Sequence, residues 1–331
     1  MGDSEHVSIT HGRYKGWDSW HLRQGPLELV LVPQVGGRIM GMEWLGHNLS
    51  FTDPNLEGQV VDLRGIQDVR AKKQEMGFLL WGGDKTWLAP QTRWTDGVPF
   101  LDLDSGPFDI HVDQDESAVL RVRMTSQVCR ETSVQITRTV TMQGGIDEWI
   151  VTHRMLNAST EVIEWGVWDV SMVLKSGKVY LPRRESSLYP KGVRTFAEEG
   201  ESVQIRNEVV GELEGIAVIT CGQPRAYKFG VDAEEGWMLG VLEVPGLGLV
   251  GYRKEVPAFK GQPYGHGCIA EVYNSDRYPY FEMEIHGPIS RLKPGESFEL
   301  EERQALFDVP QWPRSEEEVR QYLKLHQEHI N

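Results

Sequence analysis

Cysteine is scarce in this chain of 331 residues, which contains only Cys129, Cys221 and Cys268. The three are far apart, odd in number and not part of a CxxC pair. This pattern indicates neither a disulfide framework nor a structural zinc site. We expect three small buried or half-buried thiols.

Long apolar runs and an excess of basic charge are also lacking. No segment approaches the roughly 18 apolar residues of a membrane span, and residues 1–16 do not resemble a signal peptide. Acidic residues number 49 against 34 Lys plus Arg, and the net charge of −15 repels phosphate backbones and anionic lipids. We therefore expect a cytoplasmic protein with no nucleic-acid or membrane partner. The oligomeric state is left open.

Several catalytic signatures are missing as well. HExxH, GxSxG and clustered Cys/His patterns do not occur, which disfavours zinc and serine hydrolases. Gly82-Gly83 precedes Lys85, but the spacing of a phosphate-binding loop is absent. No motif requires a cofactor or a metal, although a carboxylate cluster can hold Ca²⁺.

Strand-type alternation dominates the rest of the sequence. The apolar run Leu27–Val32 lies between Gly25-Pro26 and Pro33, which is typical of a buried strand. Similar segments occur at 118–124, 134–142, 149–155, 215–220, 236–244 and 299–307. Many strands without helical crossovers predict antiparallel sheets stacked face to face. We expect one all-β domain over residues 1–310, a large β-sandwich.

One segment near the C-terminus has a helical pattern. Ser315 precedes Glu316-Glu317-Glu318 with the spacing of a capping box, and a run with mixed apolar and polar residues follows. We expect a helical appendage over residues 311–331.

Polar residues alternate with apolar ones in the segment Tyr280–His286. In a strand, Phe281, Met283 and Ile285 would face a core, and Glu282, Glu284 and His286 would share the opposite face. Two carboxyl groups beside an imidazole can supply an acid and a base. The alternative is a solvated outer face of an antiparallel sheet.

The preceding segment predicts a second strand in which Glu271 alternates with apolar residues. The short connection Ser275-Asp276-Arg277 indicates an antiparallel hairpin with 280–286. Glu271 would then lie beside the first polar row. His266 lies between two glycines in an expected turn, where it either joins the row or is an exposed loop residue.

A third cluster, residues 80–94, combines Trp81, Trp87 and Trp94 with polar side chains. Aromatic faces stack on sugar rings, and polar groups such as Asp84 and Gln91 hydrogen-bond to hydroxyls. The alternative is that the tryptophans fill the core. Weaker candidates are Arg38 after Gly36-Gly37, Trp168, and Lys228, which is equally typical of a solvated strand.

The order of these segments resembles the galactose-mutarotase-like superfamily. The segments are Leu29–Ile39, 82–91, and Glu282-Met283-Glu284-Ile285-His286-Gly287-Pro288 followed by Leu292-Lys293-Pro294-Gly295-Glu296. The similarity extends from about Leu27 to Phe307, and is greatest to a branch without an assigned activity. It implies a β-supersandwich and a sugar ligand.

The resemblance also implies roles for individual residues. In aldose 1-epimerases of the superfamily a Glu removes the proton of the anomeric hydroxyl and a His protonates the ring oxygen. Glu284 matches the base, whereas the family's two His positions match Trp168 and Trp81. A base without its acid partner loses about 10²–10⁴-fold in rate, so another residue would have to supply the acid. His286, His266 and Lys85 are the possible replacements.

We therefore hypothesise a groove that binds a hexose or a hexose-derived acid on Trp87 or Trp168, with Lys85 and Arg38 receiving any anionic group. The expected lining is Arg38, Asp84, Lys85, Trp87, Gln91, Trp168, His266, Glu271, Glu282, Glu284 and His286. Three functions remain open: an anomer-interconverting isomerase of carbohydrate metabolism, a non-catalytic sugar-binding protein, and a glycoside-cleaving enzyme. The last would use a carboxylate pair from Glu271, Glu282 and Glu284.

Overall fold

The computed structural model describes residues 6–114, 119–174, 176–196 and 201–325. Within these ranges the chain forms two large antiparallel sheets and a few short helices, so the all-β prediction is confirmed. Among the described residues, no helix is both long and apolar enough to cross a bilayer.

In chain order the strands of the first half are β1 (Ser8–Tyr14), β2 (Trp17–Gln24), β3 (Leu27–Val32), β4 (Arg38–Trp44), β5 (His47–Asn48), β6 (Asp84–Ala89), β7 (Phe108–Gln114), β8 (Val119–Ser126), β9 (Val134–Gln143), β10 (Glu148–Asn157) and β11 (Ile163–Leu174). Those of the second half are β12 (Gly177–Pro182), β13 (Arg194–Thr195), β14 (Val210–Leu213), β15 (Ile216–Cys221), β16 (Tyr227–Val231), β17 (Trp237–Val244), β18 (Gly248–Glu255), β19 (Ala270–Asn274), β20 (Tyr280–His286), β21 (Ser290–Leu292) and β22 (Ser297–Val309). The helices are α1 (Val69–Met76), α2 (Leu101–Asp104), α3 (Glu201–Val209) and α4 (Glu316–Lys324).

The first sheet has the order β1-β2-β3-β4-β6-β11-β20-β19-β16-β13, with β5 on β4 and β21 on β11. The second has the order β14-β15-β12-β17-β18-β22-β10-β9-β8-β7. The expected hairpin is present, because β19 and β20 pair with Glu271 opposite Glu284. Phe281, Met283 and Ile285 face the apolar core between the sheets, as the alternation predicts.

Helix α4 is present where the capping box predicts it. Ser315 accepts a hydrogen bond from the Glu318 amide at 3.2 Å, and Val319, Tyr322 and Leu323 pack on the outer face of the second sheet. Arg253, buried and paired with Glu148, donates to the Leu323 carbonyl at the C-terminal end of the helix. The division of the chain at residue 310 stays a prediction.

The three other α-helices were not predicted. Helix α1 has the sequence VRAKKQEM, which contains too few apolar residues for a visible helical period. It begins at Asp68, whose side chain accepts from the Ala71 amide at 2.9 Å. A short capped helix of this kind depends on tertiary contacts, such as the ion pair of the buried Lys73 with Glu131, rather than on its own pattern.

A layer of charged and polar side chains lies buried between the two sheets. The layer comprises Asp84, Thr86, Asp169 and Ser171 from the first sheet and Arg138, His153, Tyr252, Lys254, Glu302 and Gln304 from the second. Lys254 donates to Asp169 and to the Ser171 hydroxyl (2.8 Å), and its Nζ lies 3.2 Å from Glu302 Oε1. Arg138 donates to Asp84. These bonds join the central strands of both sheets.

The pKa values of the two aspartates of this layer are shifted in opposite directions. Burial, together with the charges of Asp84 and Glu302, raises the pKa of Asp169 well above its usual value. Burial acts in the same direction on Asp84, but Arg138 and Lys254 outweigh it and hold the pKa of Asp84 below its usual value. Asp84 is thus the anion that Arg138 requires, and Asp169 retains a proton more readily.

We expect Asp84→Asn to destabilise the protein much more than Asp169→Asn. The first change leaves Arg138 buried without its carboxylate, at a cost of about 3–5 kcal/mol, whereas the second replaces a carboxyl group whose ionised form burial already disfavours. Urea unfolding at pH 7 measures both, with the exposed Asp62→Asn as control. Equal losses in the two buried variants would contradict this assignment.

The pH dependence of the free energy of unfolding gives a second check. The stabilisation from the lowered pKa of Asp84 is present above the ordinary value of 3.8 and is lost as the pH falls toward the folded-state pKa. Asp84→Asn removes this loss, so its stability is expected to change less between pH 5 and pH 3 than that of the wild type.

Candidate functional site

The outer face of the first sheet carries a second set of polar residues. Cross-strand pairs put Trp87 beside Trp168 and Trp168 beside His286. On the neighbouring strands, Glu271 lies opposite Glu284 and Lys228 opposite Tyr273. Since paired residues share a face of a sheet, five strands build one continuous surface.

A cavity of about 940 Å³ opens over this surface. Its lining consists of Phe78, Leu80, Trp87, Gln91, Thr92, Trp168, Arg194, Phe196, Ala226, Lys228, Gly265, His266, Tyr273, Ser275, Asp276, Arg277, Tyr278, Tyr280 and Glu282. This volume is within the range of small-molecule sites, and the wall combines aromatic and charged groups.

Lys228 connects the cavity to two buried carboxyl groups. Its Nζ lies 2.7 Å from Glu271 Oε2 and 2.7 Å from Glu284 Oε2, and it lies 4.8 Å from the ring centroid of Trp168. Glu271 and Glu284 are both fully buried beneath the cavity. Lys228 is therefore the member of this trio that a ligand can touch.

The pKa values of these two carboxyl groups are shifted in opposite directions. Burial raises the pKa of Glu284 to about 8, because the opposing charge of Lys228 compensates only partly and the charge of Glu271 adds to the effect. Burial also acts on Glu271, but Lys228 and His286 hold its pKa well below the usual range. At pH 7 Glu271 is thus the anion and Glu284 is largely protonated.

Glu284 also has an unused oxygen. Its Oε2 accepts from Trp168 Nε1 at 2.8 Å and from Lys228, whereas Oε1 has no hydrogen-bond partner in the described part of the chain. A buried carboxyl group with a free oxygen and a pKa near neutrality can exchange a proton.

His266 is fixed in one tautomer by its two neighbours. Its Nε2 accepts a hydrogen bond from the Gln91 backbone amide at 3.0 Å, so this nitrogen carries a lone pair. The ring proton is therefore on Nδ1, which lies 3.1 Å from Glu271 Oε1. This arrangement orients Glu271 and leaves no proton on the Nε2 side of His266.

His286 lies deeper and supports the aromatic wall. It is fully buried, stacks on Trp168 with ring centroids 5.5 Å apart, and its Nε2 lies 3.3 Å from Glu271 Oε1. Burial lowers the pKa of His286 to about 4, despite the charge of Glu271. The ring is thus neutral at pH 7 and positions Trp168.

His266, Glu271 and His286 also have the residue types of a metal site, with ligand atoms within 4.8 Å of one another. Metal binding needs a lone pair on the ligating nitrogen, but Nδ1 of His266 carries the proton. Lys228 also occupies the second oxygen of Glu271. The second His/carboxylate group, His153, Asp169 and Glu302, already surrounds Lys254. Neither group fits a metal ion as it stands.

Lys85 forms the opposite side of the site. Its Nζ lies 3.2 Å from Glu282 Oε1 and 4.4 Å from the ring centroid of Trp87, and burial lowers its pKa. Trp87 Nε1 in turn donates to Asp104 at 2.8 Å. Asp104 is the ion-pair partner of the buried Arg38. Arg38 thus positions Trp87 through Asp104.

Solved structures provide the comparison. A candidate aldose 1-epimerase from Klebsiella pneumoniae aligns with 98% of this chain and 93% of its own, with a TM-score of 0.62 and 12% identity. Galactose mutarotase-like proteins from Clostridium acetobutylicum (92% and 99% covered, TM-score 0.54, 13% identity) and Lactobacillus casei (91% and 100%, 0.52, 11%) are also similar.

The chain has the galactose-mutarotase-like fold. No protein-family model matches the sequence, and neither does any curated protein. The fold expected from the order of the motifs is therefore confirmed, while the low identities leave the activity to be argued from the site itself.

Within this galactose-mutarotase-like fold, the predicted site residues fall into three groups. Trp87, Gln91, Trp168, His266 and Glu282 line the cavity. Glu271, Glu284 and His286 lie buried directly beneath it, and Lys85 is buried against Glu282. Arg38 and Asp84 do not reach it. The solvated-face alternative for the polar row of β20 does not apply, because Glu282 is 9% exposed and Glu284 and His286 are fully buried.

The placement of Asp84 corrects the sequence-based expectation. Asp84 and Lys85 are neighbours in β6, so their side chains point to opposite faces of the sheet. Lys85 faces the site, and Asp84 faces the layer between the sheets, where it binds Arg138. Arg38 is likewise occupied by Asp104 and the Gly82 carbonyl, and cannot receive an anionic ligand.

The tryptophans are also less available than expected. Trp87 is 6% exposed and Trp168 only 2%, and Lys228 and His286 cover the ring of Trp168. The most exposed aromatic side chain of the cavity lining is Phe78, which is 42% exposed and meets Trp87 edge-on at 5.8 Å. Phe78 thus offers more ring surface to the cavity than either tryptophan.

Sequence reasoning missed the far wall of the cavity. Arg194, Phe196, Tyr273 and Tyr278 line it, and Lys228 turned out to be central. Tyr273 could have been found, because it lies two residues after Glu271 in β19 and so shares its face, and Lys228 was named only as a weaker candidate. Arg194 lies in the two-residue strand β13, which gives no periodic signal.

We expect Glu284 to titrate near pH 8 in ¹³C NMR of glutamate-labelled protein. Glu271→Gln should lower this midpoint, because the charge of Glu271 raises the pKa of Glu284. Lys228→Met should raise it, since a nearby cation is lost. A wild-type midpoint close to the ordinary 4.5 would show that Glu284 is hydrated rather than buried.

Proposed function

We propose that the protein binds a carbohydrate in the cavity over β6, β11, β20, β19 and β16. The observation that carries this proposal is the composition of the wall: accessible aromatic rings lie next to hydrogen-bonding groups in a cavity of about 940 Å³. Sugar rings present C–H groups to aromatic faces and hydroxyls to polar side chains. The neighbours of this fold are described as aldose 1-epimerase or galactose mutarotase-like proteins, which supports a sugar ligand.

In this proposal the sugar ring lies against Phe78 and the edges of Trp87 and Trp168. Gln91 and Glu282 are positioned to hydrogen-bond to hydroxyls. Lys228, from β16, contacts the sugar ring from the other side of the cavity. Because Arg38 and His286 hold the tryptophans from behind, the aromatic wall is formed before the ligand arrives.

We expect Phe78→Ala to weaken sugar binding about 3- to 10-fold, the size of one aromatic contact. Isothermal titration calorimetry with a panel of hexoses and hexuronic acids measures the change. Val128→Ala is the control, since Val128 is 43% exposed, similar to Phe78, and does not line the cavity. If the wild type binds no member of the panel at millimolar concentration, the proposal is wrong.

A second candidate function is the interconversion of sugar anomers, as in aldose 1-epimerases. The specific observation in its favour is Glu284, with its free Oε1 and a pKa of about 8. The buried Glu284 would act through Lys228: the Lys228 ammonium passes a proton to the ionised Glu284, and the amine so formed takes the proton of the anomeric hydroxyl. The ring C–O bond then breaks, and the ring oxygen takes a proton from the Lys85–Glu282 pair. Reclosure on the other face of the carbonyl returns both protons.

We expect wild-type protein to accelerate anomer exchange and Glu284→Gln to reduce the acceleration about 10²–10⁴-fold. Because the base must be ionised, the acceleration should rise with pH as Glu284 loses its proton around pH 8. Saturation-transfer exchange NMR on aldoses measures the rate.

Glu301→Gln is the control for this experiment, because Glu301 is exposed on the second sheet. Binding without acceleration would leave a sugar-binding protein without epimerase activity. Acceleration that survives in Glu284→Gln would remove Glu284 from the mechanism but keep the activity.

A further inference from the structure

One half-buried cation of the cavity, Arg194, differs in its surroundings from the buried cations of the site. Arg194 is half-buried in β13 and lines the cavity wall. Its Nη1 donates to the His266 carbonyl and lies 3.5 Å from the Tyr189 hydroxyl. Both contacts are to neutral oxygens. In the described part of the chain, no carboxylate forms an ion pair with Arg194.

The other buried cations of the site already have acidic partners. Lys228 lies between Glu271 and Glu284, and Lys85 is paired with Glu282. A guanidinium that is partly withdrawn from water and lacks a carboxylate retains an unmet preference for an anion. The chain has a net charge of −15, yet no carboxylate of the described residues pairs with Arg194.

The orientation of Arg194 is also fixed. Its guanidinium lies 4.4 Å from the ring centroid of Phe196, and Lys228 lies 5.4 Å from the same ring. The bond to the His266 carbonyl holds Nη1, and no side chain or carbonyl of the described residues accepts a hydrogen bond from Nε or Nη2. A pre-oriented planar fork of this kind suits the oxygens of a carboxylate or a phosphate.

We propose that Arg194 is the specificity-determining residue of the site, and that the ligand is a sugar carrying an anionic group, a carboxylate or a phosphate. This inference rests on the proposed function. The sugar ring occupies the Phe78 side of the cavity and the anionic group points toward Arg194 and Phe196 on the far wall. Arg194 thus binds the anionic group, whereas Arg38 and Lys85 are already paired with Asp104 and Glu282.

Calorimetric titrations of paired ligands test the assignment. Glucose and galactose are compared with their uronic acids and their 6-phosphates, at low and at 0.5 M salt. We expect the anionic member of a pair to bind about 10- to 100-fold more tightly, the value of a charge-assisted contact. Salt should weaken this preference, since the charges lie at an open cavity. The preferred anion distinguishes a sugar acid from a sugar phosphate.

Three variants separate recognition from folding. Arg194→Met should lose the preference for the anion while retaining the affinity for the neutral sugar, and Arg194→Lys should restore part of it. Arg291→Met, which removes a positive charge from an exposed strand outside the cavity, should leave the preference unchanged. The neutral sugar thus reports on the integrity of the site in each variant.

The outcomes distinguish this inference from the function on which it rests. Neutral and anionic sugars binding equally to the wild type, or an unchanged preference in Arg194→Met, would overturn the role of Arg194 and leave carbohydrate binding intact. A wild type that binds neither member of any pair would overturn both.

Discussion

The buried ion layer between the two sheets is the interaction on which the site depends. Lys254 and Arg138 of the second sheet bind Asp169 and Asp84 of the first, so the central strands β6 and β11 are tied to the sheet beneath them. The same strands carry Lys85 and Trp168 on their other face. Since buried charges tolerate little displacement from their partners, the layer fixes the spacing of the side chains above it.

The site, like the layer, contains buried carboxyl groups paired with a cation, but here two of them share one lysine. Glu271 and Glu284 share one cation, Lys228. Burial and the repulsion between the two carboxylates favour the state in which only one of them is ionised. His266 and His286 both lie on the Glu271 side, which assigns the charge to Glu271 and the proton to Glu284. The trio thus presents to the cavity a lysine whose two partners differ in protonation, an arrangement suited to binding and to proton exchange.

The accuracy of the sequence-based predictions followed the strength of the local pattern. Strands with clear alternation, such as β9, β10 and β22, and the β19–β20 hairpin were predicted, because period-two alternation and turn residues are local features. The polar row of β20 was identified for the same reason. Asp84 was misplaced because its segment has no clear alternation, and the aromatic character of residues 80–94 suggested a single surface. Arg194 was missed because two-residue strands have no period.

The sequence by itself determined the all-β class, the C-terminal helix and the polar face of β20, since each depends on residues a few positions apart. Only the tertiary structure decided which charges are free. Arg38 and Arg194 are equally cationic in the sequence, but Asp104 neutralises the first, and no described carboxylate reaches the second. Such pairings join residues distant in the chain. The burial that sets the pKa of Glu284 likewise arises only when the strands assemble.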